Sequence, residues 1–91
     1  MTYARKVDAN QEEIVKAMRQ IGAKVTSLAR LGHGVSDLLV SFRQRWLVME
    51  VKTADGKLTP DEKEWVGDQR APVYIVRSPL EAVAILQSVK P

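Results

Sequence analysis

The sequence predicts a single α/β domain: a mixed sheet flanked by helices, in the order helix, three strands, helix, strand, helix (αβββαβα). Two observations carry that expectation. Apolar residues recur at helical spacing before Gly22 and again after Ser78, and Thr59-Pro60 opens a further helix, whereas residues 35–42, 45–52 and 72–77 are short β-rich runs. The first three strands have short connections, which predicts antiparallel neighbours. The last strand is reached through a helix, which predicts a parallel neighbour and a right-handed crossover. At 91 residues the chain has room for one core, so residues 1–91 are read as one domain.

The first helix is expected over about residues 10–21, with Ile14, Val15, Met18 and Ile21 at helical spacing. Asn10, with Glu13 three residues on, has the form of a capping box, and Gly22 suits the left-handed residue that closes a helix. Val25 and Thr26 favour a strand within AKVTSLAR, and LGHG at 31–34 is a glycine-flanked loop. VSDLLVSF and RWLVMEVK then read as a hairpin turning at Arg43-Gln44. After the turn-rich TADGKL, Thr59 caps a helix with Pro60 at its first position. PVYIVR is an apolar strand of the buried, parallel type. Ser78 and Pro79 open the last helix, with Leu80, Val83, Ala84 and Leu86 on its apolar side.

Composition narrows the class. The hydrophobic share of 45% and the charged share of 27% are those of an ordinary globular chain, not a disordered one. No stretch approaches the roughly 20 apolar residues of a membrane span, and MTYARKVDANQEE lacks the apolar segment of a secretory signal. With no cysteine, disulfides and thiolate zinc sites are excluded. The expected compartment is the cytoplasm. The net charge of +3 and pI of about 9.5 are compatible with a nucleic-acid partner but do not require one.

The candidate chemistry sits at the end of the hairpin's second strand, in LVMEVKT. Alternation puts Trp46, Val48, Glu50 and Lys52 on one face, with Leu47, Met49 and Val51 on the other. A turn centred between Arg43 and Gln44 pairs residues whose numbers sum to 87, which sets Asp37 opposite Glu50. Directly opposed Cβ atoms lie roughly 4.5–5.5 Å apart, and like charges at that distance destabilise a sheet. Burying them costs more still unless a cation arrives. Hard oxygen ligands at this separation suit Mg²⁺, and the carbonyl of Val51 is placed to add a ligand. In the competing reading, Glu50 and Lys52 lie on an exposed face and Asp37 merely ends a loop.

These residues resemble the PD-(D/E)XK nuclease superfamily, whose pattern is an acid at the start of one strand, then an acid, one residue and a lysine on the next. Here the matching residues are Asp37 and Glu50-Val51-Lys52. The chain looks like the compact VRR-NUC branch through DANQEEIVKAMRQIGA, GHGVSDLLV, LVMEVKTADGKLTPDE and VYIVRSPLEA, over roughly residues 5–86. The resemblance implies a restriction-endonuclease-like core and Mg²⁺- or Mn²⁺-dependent hydrolysis of DNA. Asp37, Glu50, the Val51 carbonyl and an acid of the first helix would bind metal. Glu13 matches that helix position best, with Glu12 as the fallback, and Lys52 would orient the attacking water or stabilise charge on the phosphate. The resemblance further implies a homodimer acting on branched DNA such as a four-way junction, and a phage or prophage source.

One departure is visible. Relatives often carry a glutamine in the helix after the ExK strand; here Glu62 stands at that position and Gln69 comes later, so neither is assigned a role. His33 is expected to be an exposed loop residue. Lys6, Arg30, Arg43, Arg45 and Lys57 are candidate phosphate contacts, with Lys57 nearest the presumed site. Trp46 and Trp65 are expected to be packing residues rather than base-stacking platforms. The runner-up function is a nuclease-fold DNA-binding or interaction subunit that needs a partner for activity.

Overall fold

The computed structural model describes residues 9–91; Lys6 lies outside them. The elements are α1 (Ala9–Gln20), β1 (Lys24–Ser27), a 3-10 turn (Ala29–Leu31), β2 (Leu38–Phe42), β3 (Arg45–Val51), α2 (Pro60–Asp68), β4 (Val73–Val76) and α3 (Pro79–Gln87). The sheet runs β1-β2-β3-β4, with β1 and β2 each antiparallel to the next strand and β4 parallel to β3. The expected α/β class and mixed sheet are therefore present. Among the described residues no helix is long and apolar enough to cross a membrane.

Local chemistry explains most of the element ends. Gly22 adopts φ 101°; its N–H donates to Arg19 O at 3.0 Å and that of Ala23 to Met18 O at 3.1 Å. This pair of bonds is a Schellman closure of α1. The start of α1 differs from the expected capping box. The chain is already helical at Ala9, so Asn10 lies inside the helix and its amide is used elsewhere. Thr59 caps α2 as expected, through a reciprocal box with Glu62. β1 stops at Ser27, giving way to the 3-10 turn within the segment read as strand.

The hairpin turns where expected. Arg43 and Gln44 have φ of 52° and 65°, the left-handed pair of a two-residue type I′ connection. Pairing runs from Phe42↔Arg45 to Leu38↔Met49. That register sends Leu38, Val40, Leu47, Met49 and Val51 to one face, where they pack with Val76, Ile14 and Met18 of α1, and Ala82 and Leu86 of α3.

Two assignments need correction. Leu80 is 81% exposed, and α3 instead buries Ala82 and Leu86 with Ile85 and Val89 against the core. The helix is apolar on several sides, so its pattern does not fix which side faces in. β4 buries only Val76, because it is an edge strand and its other residues are half-covered.

The loop before β2 meets the start of α2 at Gly34, which adopts φ 81°. A Cβ there would lie 2.3 Å from the carbonyl oxygen of Asp61 and 2.6 Å from its carbon. Gly34→Ala should therefore destabilise the protein by about 2 kcal/mol or more, combining overpacking with a left-handed backbone. Urea unfolding checks this, and an unchanged midpoint would mean the loop does not depend on that close approach.

Candidate functional site

Continuing the hairpin register by one pair sets Asp37 against Glu50. Asp37 Oδ2 accepts the Val51 N–H at 2.8 Å. Glu50 is only 1% exposed, which rules out the reading that placed it on an open face. Its Oε2 lies 3.6 Å from Lys52 Nζ, and its buried Oε1 has no hydrogen-bond partner. Lys52 Nζ also lies 2.7 Å from Glu62 Oε1, the oxygen that accepts the Thr59 N–H at 2.9 Å. The lysine is thus held between two acids.

Glu62, to which the sequence assigns no role, joins the cluster through its ion pair with Lys52. Its position three residues after Thr59 is a capping-box signal, and the box aims its carboxylate at Lys52. The legible signal was the cap; nothing in the spacing disclosed the lysine.

The electrostatics follow from this crowding. Burial does most to push the Glu50 carboxyl up, to about 8, and the charges of Asp37 and Glu62, with a hydrogen bond from the protonated carboxyl to Asp37, add to it against the pull of Lys52. For Lys52, burial favours the neutral amine. Its hydrogen bond to Glu62 and the charges of Glu62, Glu50 and Asp37 outweigh that and raise it above the ordinary lysine value. Burial likewise works against a charged Glu62, yet its bonds to Lys52 and to the Thr59 N–H hold it below the ordinary carboxylate value.

The backbone of Lys52 is fixed from two sides. Its N–H donates to Val76 O at 3.0 Å, and its carbonyl accepts from Asn10 Nδ2 at 2.9 Å. Asn10 Nδ2 also reaches Arg77 O at 3.4 Å, while Arg77 Nη1 donates to the carbonyls of Thr53 and Gly56, both at 2.7 Å. The segment leaving β3 is therefore stitched to α1 and β4. No sequence pattern marks Asn10 or Arg77 for this task.

The other candidates are more scattered. Glu13 is exposed on α1, one turn beyond Asn10, and no hydrogen bond or ion pair joins it to Asp37 or Glu50. It lies on the side of α1 nearer to Asn10 than Glu12 does, at 100° per residue. Val51 enters the site through its N–H. His33 is exposed, as expected, and so are Arg30 and Lys57. Arg43 Nη1 donates to Gln87 O and Val89 O, and Arg45 Nε to Lys90 O, so both guanidiniums are engaged with the C-terminal segment. Gln69 Nε2 donates to Trp65 O, within its own helix end. Trp65 is half-buried, but Trp46 is 73% exposed and is not the packing residue expected.

Among the described residues no three side chains of the His, Cys, Asp and Glu types converge as a metal-binding group. What the cluster does present is a pair of opposed acids, one with a buried oxygen that accepts no hydrogen bond. Such an oxygen is costly to bury and is suited to a cation or a donated proton. No family model matches the chain, and no curated protein or solved structure matches it either.

The Glu50 shift makes a signed prediction for metal-free protein. A carboxyl raised from 4.5 to about 8 binds its proton more tightly when folded. Its stabilising contribution is complete below the unfolded value and is lost as pH rises towards 8. Glu62 is shifted down and Lys52 up, so neither changes its contribution within that window. In chelator-treated samples, wild-type stability should fall between pH 5 and 8 by up to a few kcal/mol relative to Glu50→Gln. Thermal melts across that range check it; parallel curves for the two proteins would show that Glu50 ionises normally.

Proposed function

We propose that this chain is a Mg²⁺- or Mn²⁺-dependent, structure-selective DNA endonuclease of the PD-(D/E)XK type, close to its VRR-NUC branch. The observation that supports this most is the buried Glu50 carboxylate facing Asp37 with an unpartnered Oε1. Two hard anionic groups at that separation suit Mg²⁺ with retained waters and phosphate oxygens. Asp37 and Glu50 would hold the ion with the Val51 carbonyl, and Glu13 would act directly or through water. When bound, the metal would acidify a water and offset the charge that develops on the phosphate.

The protein's own groups have separable tasks in this reading. Lys52, kept charged by Glu62 at 2.7 Å, orients the attacking water or neutralises a phosphate oxygen. Asn10 and Arg77 keep the Lys52 backbone and the following loop in place. The expected substrate is branched DNA such as a four-way junction, cut by a homodimer that presents two symmetric sites. A phage or prophage protein acting in the bacterial cytoplasm is the matching source.

A second reading is favoured by one observation. Lys52 already lies within 3.6 Å of Glu50 and 2.7 Å of Glu62, so the acids are partly offset with no ion. A nuclease-fold DNA-binding or interaction subunit, active only with a partner, would have the same arrangement.

Purified protein tested alone on junction, flap and linear DNA with Mg²⁺ or Mn²⁺ separates the two. The nuclease reading expects metal-dependent cleavage, reduced about 100-fold or more by Asp37→Ala or Lys52→Ala, with circular dichroism and DNA binding largely retained. Cleavage at near wild-type rate in either variant would remove the assigned roles, and no cleavage by the wild type would favour the subunit.

A further inference from the structure

The sheet face that carries Glu50 is built in rows. Register places Lys24, Ser41 and Trp46 side by side across β1, β2 and β3, followed by Thr26, Leu39, Val48 and Val73, and then by Glu50 and Ile75. Leu39, Val48, Val73 and Ile75 are half-buried, and α1 and α3 pack on the opposite face. Trp46, 73% exposed, therefore ends a half-covered apolar strip that leads along β3 to the acid pair. Four residues separate it from Glu50, about 13 Å at ~3.3 Å per residue. Lys24 is exposed two strands away, about 10 Å at ~4.8 Å per strand, and no carboxylate of the described residues pairs with it.

We propose that Trp46 is a stacking platform for an unpaired nucleobase, with Lys24 meeting the adjoining phosphate, so that the strip selects DNA carrying an unstacked nucleotide beside the scissile bond. The polymer's identity rests on the nuclease reading. The geometry favours a base over other occupants for two reasons. The strip is continuous with the Glu50–Asp37 pair, so a second copy seated on it would cover the approach to those acids. The cation in the Trp46 row also complements a phosphate, not an apolar protein surface. An indole face stacks on any base, but a base inside a duplex has both faces occupied by its neighbours. The platform therefore discriminates by structure and tolerates sequence.

The test uses binding in a chelator, where nothing is cut. The chain has two tryptophans, so Trp65→Phe leaves Trp46 as the sole reporter. Oligothymidylate should quench its emission, and a blunt duplex should not. Trp46→Ala should weaken oligothymidylate binding about tenfold, the effect of one stacked base at about 1.4 kcal/mol, with most of the affinity restored by Trp46→Phe. Duplex affinity should stay unchanged. Absence of quenching, or equal loss on both DNAs, overturns the platform. So does unchanged DNA binding with a dimer that Trp46→Ala splits in sedimentation, since the strip would then belong between copies. The two readings fail separately. A chain that never cleaves yet behaves this way loses only its nuclease assignment. One that cleaves flapped DNA equally well without Trp46 loses only the platform.

Discussion

A carboxylate buried against another carboxylate is the constraint on which this structure turns. Glu50 is almost fully covered, and hairpin pairing brings Asp37 opposite it. Isolated, such a pair would be intolerable in a small domain. Each neighbour answers part of the cost. Asp37 is satisfied by the Val51 N–H, Glu50 has Lys52 on one oxygen, and Lys52 is anchored in turn by Glu62. Glu62 is aimed by the cap of α2, and α2 is pressed to the Asp37 loop where Gly34 has no side chain. The chain of dependence is closed except at Glu50 Oε1.

What was legible in the sequence was whatever short-range chemistry decides. Two polar residues between β-rich runs located the turn, and with the turn came the register and the Asp37–Glu50 opposition. Gly22 and Thr59 marked their helix ends because each supplies a conformation or an oxygen that the backbone needs there. The failures came where a residue's role depends on a distant partner. Asn10 has the spacing of a cap, but its amide goes to the Lys52 carbonyl, just past β3 and forty-two residues on. The pattern of α3 points Leu80 inward, but the helix offers apolar residues on several sides and only the sheet decides between them. Trp46 is expected to pack, yet it is exposed, because exposure depends on which helices cover which face.

The covering is uneven, and that unevenness separates stability from recognition. Both α1 and α3 pack on the face of Leu47, Met49 and Val51, so the apolar core of a 91-residue chain lies on one side of the sheet. Among the described residues, the Asp37 loop and the start of α2 meet the other face near Glu50 and Lys52. Beyond that cover the strip passes from half-buried Val48 to exposed Trp46. A small domain can leave a face open only if the remaining core suffices. The burial of Ile14, Met18, Leu38, Met49 and Leu86 to 1% or less is consistent with that.

Alternation along β3 then binds the two faces together. Leu47, Met49 and Val51 hold the core while Trp46, Val48 and Glu50 face the other way, within the same seven residues. Because the side-chain period is two, a slip of one residue would drive Glu50 into the apolar core and turn Met49 towards Asp37. Neither suits its new surroundings: the clustered core residues are apolar, and the acid pair would vanish. Register here is consequently fixed from both sides of the sheet at once. That explains why a turn with two non-glycine residues at positive φ is retained, since its backbone cost is small beside that of a slipped strand. The opposed acids are a consequence of the pairing that builds the core, and the proposed site cannot be displaced without unmaking the fold that presents it.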